Sequence, residues 1–371
     1  MQKFAFIVHP MEARRDVARK YPIAKYLPES WIEWYIQRRD PLIVADIEGI
    51  RSVSATGAEA QGWFIACPLT PRQMVTLPIE FVWEKLEQCA RIAQEQGAGI
   101  LGLGAFTSVV GDGGITLSKR VPGIAITTGN SYTVATAIDG ARIAGEMMGH
   151  LLRESNVAVV GANGAIGATC AEILARDAGH LSLVGRDVKR LGALAAHLAE
   201  EHDVPVGIYT DVAEGLQDAD IIITVTSAVD TIILPQHIKS GAVVCDVARP
   251  RDVSVRVAKE RDDVLVIEGG VVQVPGAMRM PRPDKPGREF NFGFPPGTAY
   301  ACMSETMLLA LENRFENFTL GKEVSVGQVD EMNCLAAKHG FKLAGFRSFE
   351  KAVDQQYIAQ VRQNALKKVR K

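Results

Sequence analysis

Residues 156–167 read NVAVVGANGAIG, and the reading of this stretch decides the fold. Residues 157–160 are an unbroken apolar run, as a strand covered on both faces requires. The run leads directly into Gly161, Ala162, Asn163, Gly164, Ala165, Ile166 and Gly167, a GxxGxxG turn, and a helical pattern follows over 165–176. Glycines at this spacing let backbone N–H groups close on a pyrophosphate. The helix start adds positive potential, and the last glycine allows close helix–strand packing. A bare glycine pattern is unspecific, since any α/β protein can carry a glycine-rich turn. One set between an apolar strand and a helix inside a βαβ repeat is far more specific.

Working outward, the repeat continues. LSLVG (181–185), VGIY (206–209), IIITV (221–225), AVVCDV (242–247) and VLVIEGG (264–270) are short apolar runs, with helical patterns such as 187–201 between them. Continuously apolar strands alternating with helices predict a parallel sheet. The expected fold class is therefore α/β: a central doubly wound Rossmann domain over 154–275 that binds NADP. Before it stand an N-terminal α/β substrate domain, 1–130, and a connecting helix, 131–153. After it, 276–371 reads as a Pro/Gly/Arg-rich loop followed by helices, a C-terminal domain carrying Cys302.

Cofactor choice is read at the end of the second strand. Arg186 stands there, with Lys189 and Arg190 close behind. A guanidinium matches a phosphate in a two-pronged geometry, so NADPH is expected over NADH. Asp187 could instead take the ribose-binding role of an NAD enzyme, but it also suits the N-cap of the helix that follows. Thr226 and Ser227 end the fourth strand and are expected near the nicotinamide half; an ordinary polar turn is the alternative.

The chain has 371 residues, a formal net charge of −2, 34 glycines and 6 cysteines. That length predicts two or three domains, and the balanced charge speaks against nucleic acid as a partner. The cysteines (67, 89, 170, 245, 302 and 334) form no CxxC pair and meet no histidine cluster, so neither a metal site nor a disulfide framework is expected. No run approaches the ~18 apolar residues of a membrane span, and MQKFAFIVHP reads as a strand rather than a signal peptide. A cytoplasmic protein is expected. Cys170 falls in the first helix of the repeat, Cys245 in a strand, Cys67 at a strand end, and Cys89 and Cys334 on apolar helix faces, all ordinary packing sites. Cys302 differs in falling in the first turns of a helix predicted from about residue 298, where a thiolate is stabilised, although position alone still favours packing over catalysis.

SVSATG (52–57), GAFTSVV (104–110), TTGNSYTVA (127–135), VAVVGANGAIGATC (157–170), EGGVVQVPG (268–276), ACMSETMLL (301–309), ENFTLGKEVS (316–325) and AAKHGF (336–341) occur in the order found in the long-chain acyl-(acyl carrier protein) reductases. The chain resembles that aldehyde-forming family over nearly its whole length. The resemblance implies that Cys302 forms an acyl-enzyme, with Glu305 at the matching acidic position, and that NADPH reduces it to a fatty aldehyde. It implies acyl carrier protein or acyl-CoA as substrate carrier, and an aldehyde-consuming enzyme downstream. The segment 127–131 is a candidate wall of the site. The loop at 280–299, the residues after TGN and the tail beyond about 346 depart from the family pattern. The tail ends in Lys367, Lys368, Arg370 and Lys371, which could dock an acidic carrier or simply be a solvated helix end.

Two other readings stay open. CDVARPRDV (245–253) resembles glutamyl-tRNA reductase, which with shikimate dehydrogenase forms a related group of oxidoreductases acting on other substrates. The tRNA reductases' thioester cysteine lies in the N-terminal domain, where this chain has Cys67 and Cys89. The second is a non-catalytic NADP sensor, which would need no reactive thiol.

Overall fold

A computed structural model of the chain describes residues 1–18, 21–226, 228, 230–248, 251–321, 323–349 and 351–369. The chain forms two compact units. The first comprises Met1–Tyr132, Val272–Glu323 and Glu331–Lys342; the second comprises Thr133–Val271, Val324–Asp330 and Leu343–Lys371.

In chain order the first unit opens with β1 (Gln2–Val8), α1 (Ala13–Ala18), α2 (Glu29–Ile36), β2 (Leu42–Arg51), β3 (Glu59–Ala66), α3 (Pro71–Thr76), α4 (Ile79–Glu95), β4 (Ile100–Leu103), α5 (Ile115–Arg120) and β5 (Ala125–Thr127). The helix α6 (Asn130–Met148) carries the chain into the second unit, with β6 (Asn156–Val160), α7 (Ala165–Ala175), β7 (His180–Val184), α8 (Val188–His202), β8 (Val206–Tyr209), α9 (Val212–Leu216), β9 (Ile221–Thr224), β10 (Val243–Asp246), α10 (Val255–Glu260) and β11 (Leu265–Glu268). Later come α11 (Ala301–Leu311), α12 (Val326–His339) and α13 (Gln355–Val369).

The second unit is the doubly wound domain. Its sheet has the order β11-β10-β9-β6-β7-β8, and every recorded pairing in it is parallel. The order reverses beside β6, the switch point at which such sheets open a crevice for ligands. β9 and β10 are buried at every residue, which explains their unbroken apolar runs: helices cover both faces.

The first unit holds a second six-stranded sheet, ordered with the strand Gly276–Arg279 first, then β2, β3, β1, β4 and β5. β3, β1, β4 and β5 run parallel, while β2 is antiparallel to β3. Trp83, Leu86 and Cys89 of α4 pack with Ile7, Ile65 and Leu101 in one apolar cluster.

The segment 276–371 is shared between the units. Gly276–Arg279 pairs with β2, and α11 packs on β1 and β4, both in the first unit. α13 instead buries Ile358, Val361 and Ala365 in the second. Two predicted boundaries move. Residues 298–300 are extended, so the helix carrying Cys302 starts at Ala301 and not near 298. Part of the predicted loop is the strand at 276–279, which glycine and proline at its edge had obscured. In the tail, Lys368 is bound to Asp262 and Asp263 at 2.7 and 3.1 Å, while Arg370 and Lys371 lie outside the described residues.

Candidate active site

In the first unit the C-terminal ends of β1, β3, β4 and β5 share one sheet edge. The chain leaves β5 through Thr127, Thr128 and Gly129, and α6 begins at Asn130. Cys302 is the second residue of α11 and is half-buried. The N-cap of that helix, Tyr300, supplies no side-chain hydrogen bond of its own to the first turn.

Gly129 joins these two segments. Its φ is +77°, and a Cβ there would stand 2.4 Å from Cys302 Cα and Cβ. Only glycine satisfies both constraints. The structure therefore brings together TTGNS and ACxxE, which lie far apart in sequence.

Glu305 fastens the pair from beneath. It is fully buried and accepts hydrogen bonds from Thr127 Oγ1 (2.5 Å), Thr319 Oγ1 (2.9 Å) and the Tyr132 amide (2.9 Å). Ser131 Oγ lies 2.8 Å from Thr319 Oγ1. Burial pushes the Glu305 carboxyl above its usual range, and these donors pull the other way. Glu305 is thus a positioning residue, anchoring the turn after β5 to α11.

Thr128 is the exception in this network. Its side-chain oxygen is buried and has no partner among the described residues. Buried hydroxyls are nearly always bonded, so an unpaired one next to Gly129 invites a functional reading. Sequence reasoning named the segment but not this residue.

His9, at the end of β1, lies on the same edge. Its Nε2 accepts from the Phe106 amide at 3.1 Å, and its Nδ1 bonds the Pro10 carbonyl at 3.3 Å. Burial holds its pKa below the ordinary histidine value, and the Pro10 carbonyl and Asp16 oppose this. Both ring nitrogens are engaged, so His9 is a structural imidazole rather than an acid.

The other cysteines offer no rival. Cys67, Cys89, Cys170 and Cys245 are buried. Burial raises the Cys89 thiol well above its usual value, and pushes Cys170 up to about 12. Cys334, expected on an apolar face, is exposed on α12.

In the second unit the glycine loop has the predicted setting between β6 and α7. Gly161 has φ +91°, and a Cβ on Gly167 would meet the Gly161 carbonyl oxygen at 2.3 Å. Gly164 is the N-cap of α7, and no side chain caps that helix. Ala162 is buried, while Ala165 and Ile166 form the first turn of α7. Asn163 has a task the sequence did not reveal: its amide donates to the Asp187 carbonyl and accepts from the Asp187 amide, both at 2.9 Å. It pins the turn that carries Arg186. Asp187 caps α8 through the Arg190 amide at 3.1 Å, which leaves Arg186 and Lys189 exposed at the turn.

Thr226 sits after β9 as expected, but its hydroxyl donates to Asp252 at 2.5 Å and its amide to the same carboxylate at 3.0 Å. Thr224 donates to Asp252 at 2.5 Å as well. Asp252, buried and overlooked in the sequence, holds this strand end in place. Ser227 lies outside the described residues. A helix start with glycine at its N-cap and a loop that excludes a Cβ together fit a dinucleotide. Among the described residues no His, Cys, Asp and Glu cluster could hold a metal ion, and no helix is long and apolar enough to cross a membrane.

Residues 142–268 match the family model described as shikimate / quinate 5-dehydrogenase. Over 363 residues the chain is 30% identical to aminotransferase PigE of Serratia sp., covering 96% of this chain but 41% of that protein. The chain therefore spans less than half the length of this relative. It is 27% identical over 359 residues to the long-chain acyl-[acyl-carrier-protein] reductase of Synechococcus elongatus, covering 91% of this chain and 98% of that protein. Among solved structures, the nucleotide-binding domain of glutamyl-tRNA reductase from Thermoplasma volcanium matches at 20% identity with a TM-score of 0.22, over 30% of this chain and 74% of that one. The resemblance read from the motifs thus holds along nearly the whole chain, and the sequence matches support an oxidoreductase with a Rossmann domain.

Proposed function

We propose that the protein reduces a long-chain fatty acyl thioester, carried by acyl carrier protein or coenzyme A, to the aldehyde, using NADPH and an acyl-enzyme on Cys302. The observation that carries this reading is the meeting of Cys302 with Gly129 at a helix start, above the buried Glu305 network.

The Cys302 thiolate attacks the thioester carbonyl, and the carrier thiol departs with a proton. The tetrahedral oxyanion at this step needs a donor held ready for it. The unpartnered Thr128 hydroxyl is our candidate, with the first-turn amides of α11 beside it. Glu305 keeps Thr127 and Gly129 in register with the sulfur, so the attack geometry is set before substrate arrives. When bound, NADPH supplies the hydride that takes the acyl carbon to the aldehyde level. Gly161, Gly164 and Gly167 would hold its pyrophosphate, Arg186 and Lys189 its 2′-phosphate, and Thr226 and Ser227 would lie toward its nicotinamide end.

Cys67 and Cys89 are buried and Cys89 is held protonated, which counts against chemistry of the tRNA-reductase kind. A sensor without chemistry would leave the Thr128 hydroxyl and the close approach of Gly129 to Cys302 without a use. The test is NADPH oxidation with acyl-(acyl carrier protein) and acyl-CoA substrates of different chain length, with aldehyde detected directly. Oxidation of NADPH with equimolar aldehyde is expected; NADPH binding with no turnover of any acyl thioester would overturn the assignment in favour of a sensor.

A further inference from the structure

Between β1 and β2 the first unit carries a helical insert, residues 11–40, built from α1, the short turn Pro22–Tyr26 and α2. Its inner side is well satisfied. Ala13, Ala18, Ala24, Ile32 and Ile36 form their own apolar cluster. Buried Glu33 accepts from Thr70 Oγ1 at 2.8 Å and pairs with Arg72, while Lys85 Nζ donates to the Arg39 carbonyl at 2.7 Å.

The outer side is different. Tyr26 is 86% exposed, Ile23 67%, Trp31 65% and Trp34 57%. Ile23, Trp31 and Trp34 line an apolar groove of about 660 Å³ whose walls also include Tyr21, Leu27 and Tyr35. Single exposed apolar side chains are normal on a protein surface, but a contiguous patch of large ones marks a contact. Two of the chain's 4 tryptophans stand in water here, while Trp83 is buried.

Charge narrows the partner. Residues 11–40 hold seven Arg and Lys (14, 15, 19, 20, 25, 38, 39) against five Asp and Glu (12, 16, 29, 33, 40), an excess of two positive charges in a chain whose net charge is −2. Two of the acids are turned inward: Glu33 is buried, and Asp16 accepts from the Met11 and Glu12 amides. Two of the bases stand over the rings, with the Arg38 guanidinium 4.1 Å from the Trp34 ring centre and that of Arg39 4.4 Å from Tyr35. Trp and Tyr rings with Arg and Lys beside them are what a segment lying in the headgroup zone of a bilayer presents.

We propose that residues 21–39 dock this unit on the surface of an anionic lipid bilayer, with Trp31, Trp34 and Tyr26 entering the headgroup zone and Lys25, Arg38 and Arg39 facing lipid phosphates. The docking does not rest on the proposed reaction, and its test needs no acyl thioester.

The test is flotation of the full chain with vesicles of phosphatidylcholine alone, or of phosphatidylcholine with phosphatidylglycerol, read together with tryptophan fluorescence. Binding to the anionic vesicles at least about tenfold tighter than to the neutral ones is expected, weakening with salt. Emission should shift to the blue on binding. Trp31→Ala/Trp34→Ala should lose binding and the shift, and Arg38→Glu/Arg39→Glu should lose the anionic preference. All of these side chains are exposed, so unchanged circular dichroism melts are expected. The proposal is overturned by absence of binding to both vesicles, by equal binding of the tryptophan variant, or by a self-associated protein that this variant converts to monomer without lipid. Quenching by a soluble fatty acid with no vesicle binding would assign the groove to an acyl chain and also overturn it.

Discussion

The starts of α7 and α11 look alike and are built in different ways. Each helix begins without a side-chain cap beside the C-terminal edge of parallel strands. At α7 the chain removes side chains: Gly161, Gly164 and Gly167 keep the turn free of Cβ atoms, and the loop needs little beyond its own residues and Asn163. At α11 the chain places a thiol in the first turn and brings its surroundings from elsewhere, through Gly129, Thr127, Ser131 and Thr319. One site is local and the other assembled; in our reading the first binds and the second reacts. Their sensitivity to substitution should differ accordingly.

The largest effect is expected at the assembled site. Gly129→Ala adds a Cβ 2.4 Å from Cys302 at a φ of +77°, so the turn or the helix start must move. A displacement near 1 Å typically costs about 10²-fold in rate. A fall in kcat of at least about that size is expected, with NADPH affinity unchanged by isothermal titration because the loop belongs to the other unit. Unaltered kcat would separate Gly129 from the chemistry.

Thr128→Val sharpens the same point, since it removes the hydroxyl and keeps the shape. Loss of one oxyanion donor costs about 10²-fold or more in kcat, and KM and thermal stability should barely change. A stability loss without a rate loss would make Thr128 structural.

At the local site Gly167→Ala places a Cβ 2.3 Å from the Gly161 carbonyl oxygen. NADPH binding should weaken by roughly tenfold or more, while thioester exchange onto Cys302 in the absence of NADPH continues at the normal rate. Loss of both would couple two sites that this account keeps separate. The smallest effect is expected from Arg186→Ala: about a tenfold rise in the KM for NADPH, with that for NADH unchanged, from loss of one charge-assisted phosphate contact. Equal effects on both cofactors would move phosphate recognition away from Arg186.

The same contrast explains what was legible in the sequence. The Rossmann unit could be read almost strand by strand, because burial on both faces of β6, β9 and β10 leaves an apolar run in the sequence itself. Its glycine loop and the capping role of Asp187 are local as well. Asn163 and Asp252 were not legible as supports, because each acts on a turn some 24 to 28 residues away. Around Cys302 the separation is larger still: Thr127 meets Glu305 across 178 residues, and no period or spacing encodes such a pairing. The resemblance supplied Cys302; composition and helix position alone could not choose it over packing. Sharing of 276–371 between two units was hidden for the same reason, since Gly276–Arg279 is a strand only because β2 offers it an edge.

The central claim is a covalent acyl group on Cys302. Intact-mass spectrometry after incubation with an acyl thioester and no NADPH tests it most directly. The account predicts one added acyl mass, mapped to the peptide holding Cys302, discharged as aldehyde when NADPH is added, and absent from Cys302→Ala and from Cys302→Ser, whose hydroxyl is a far weaker nucleophile near neutral pH. Full reductase activity in Cys302→Ala, with no adduct on any cysteine, would contradict it.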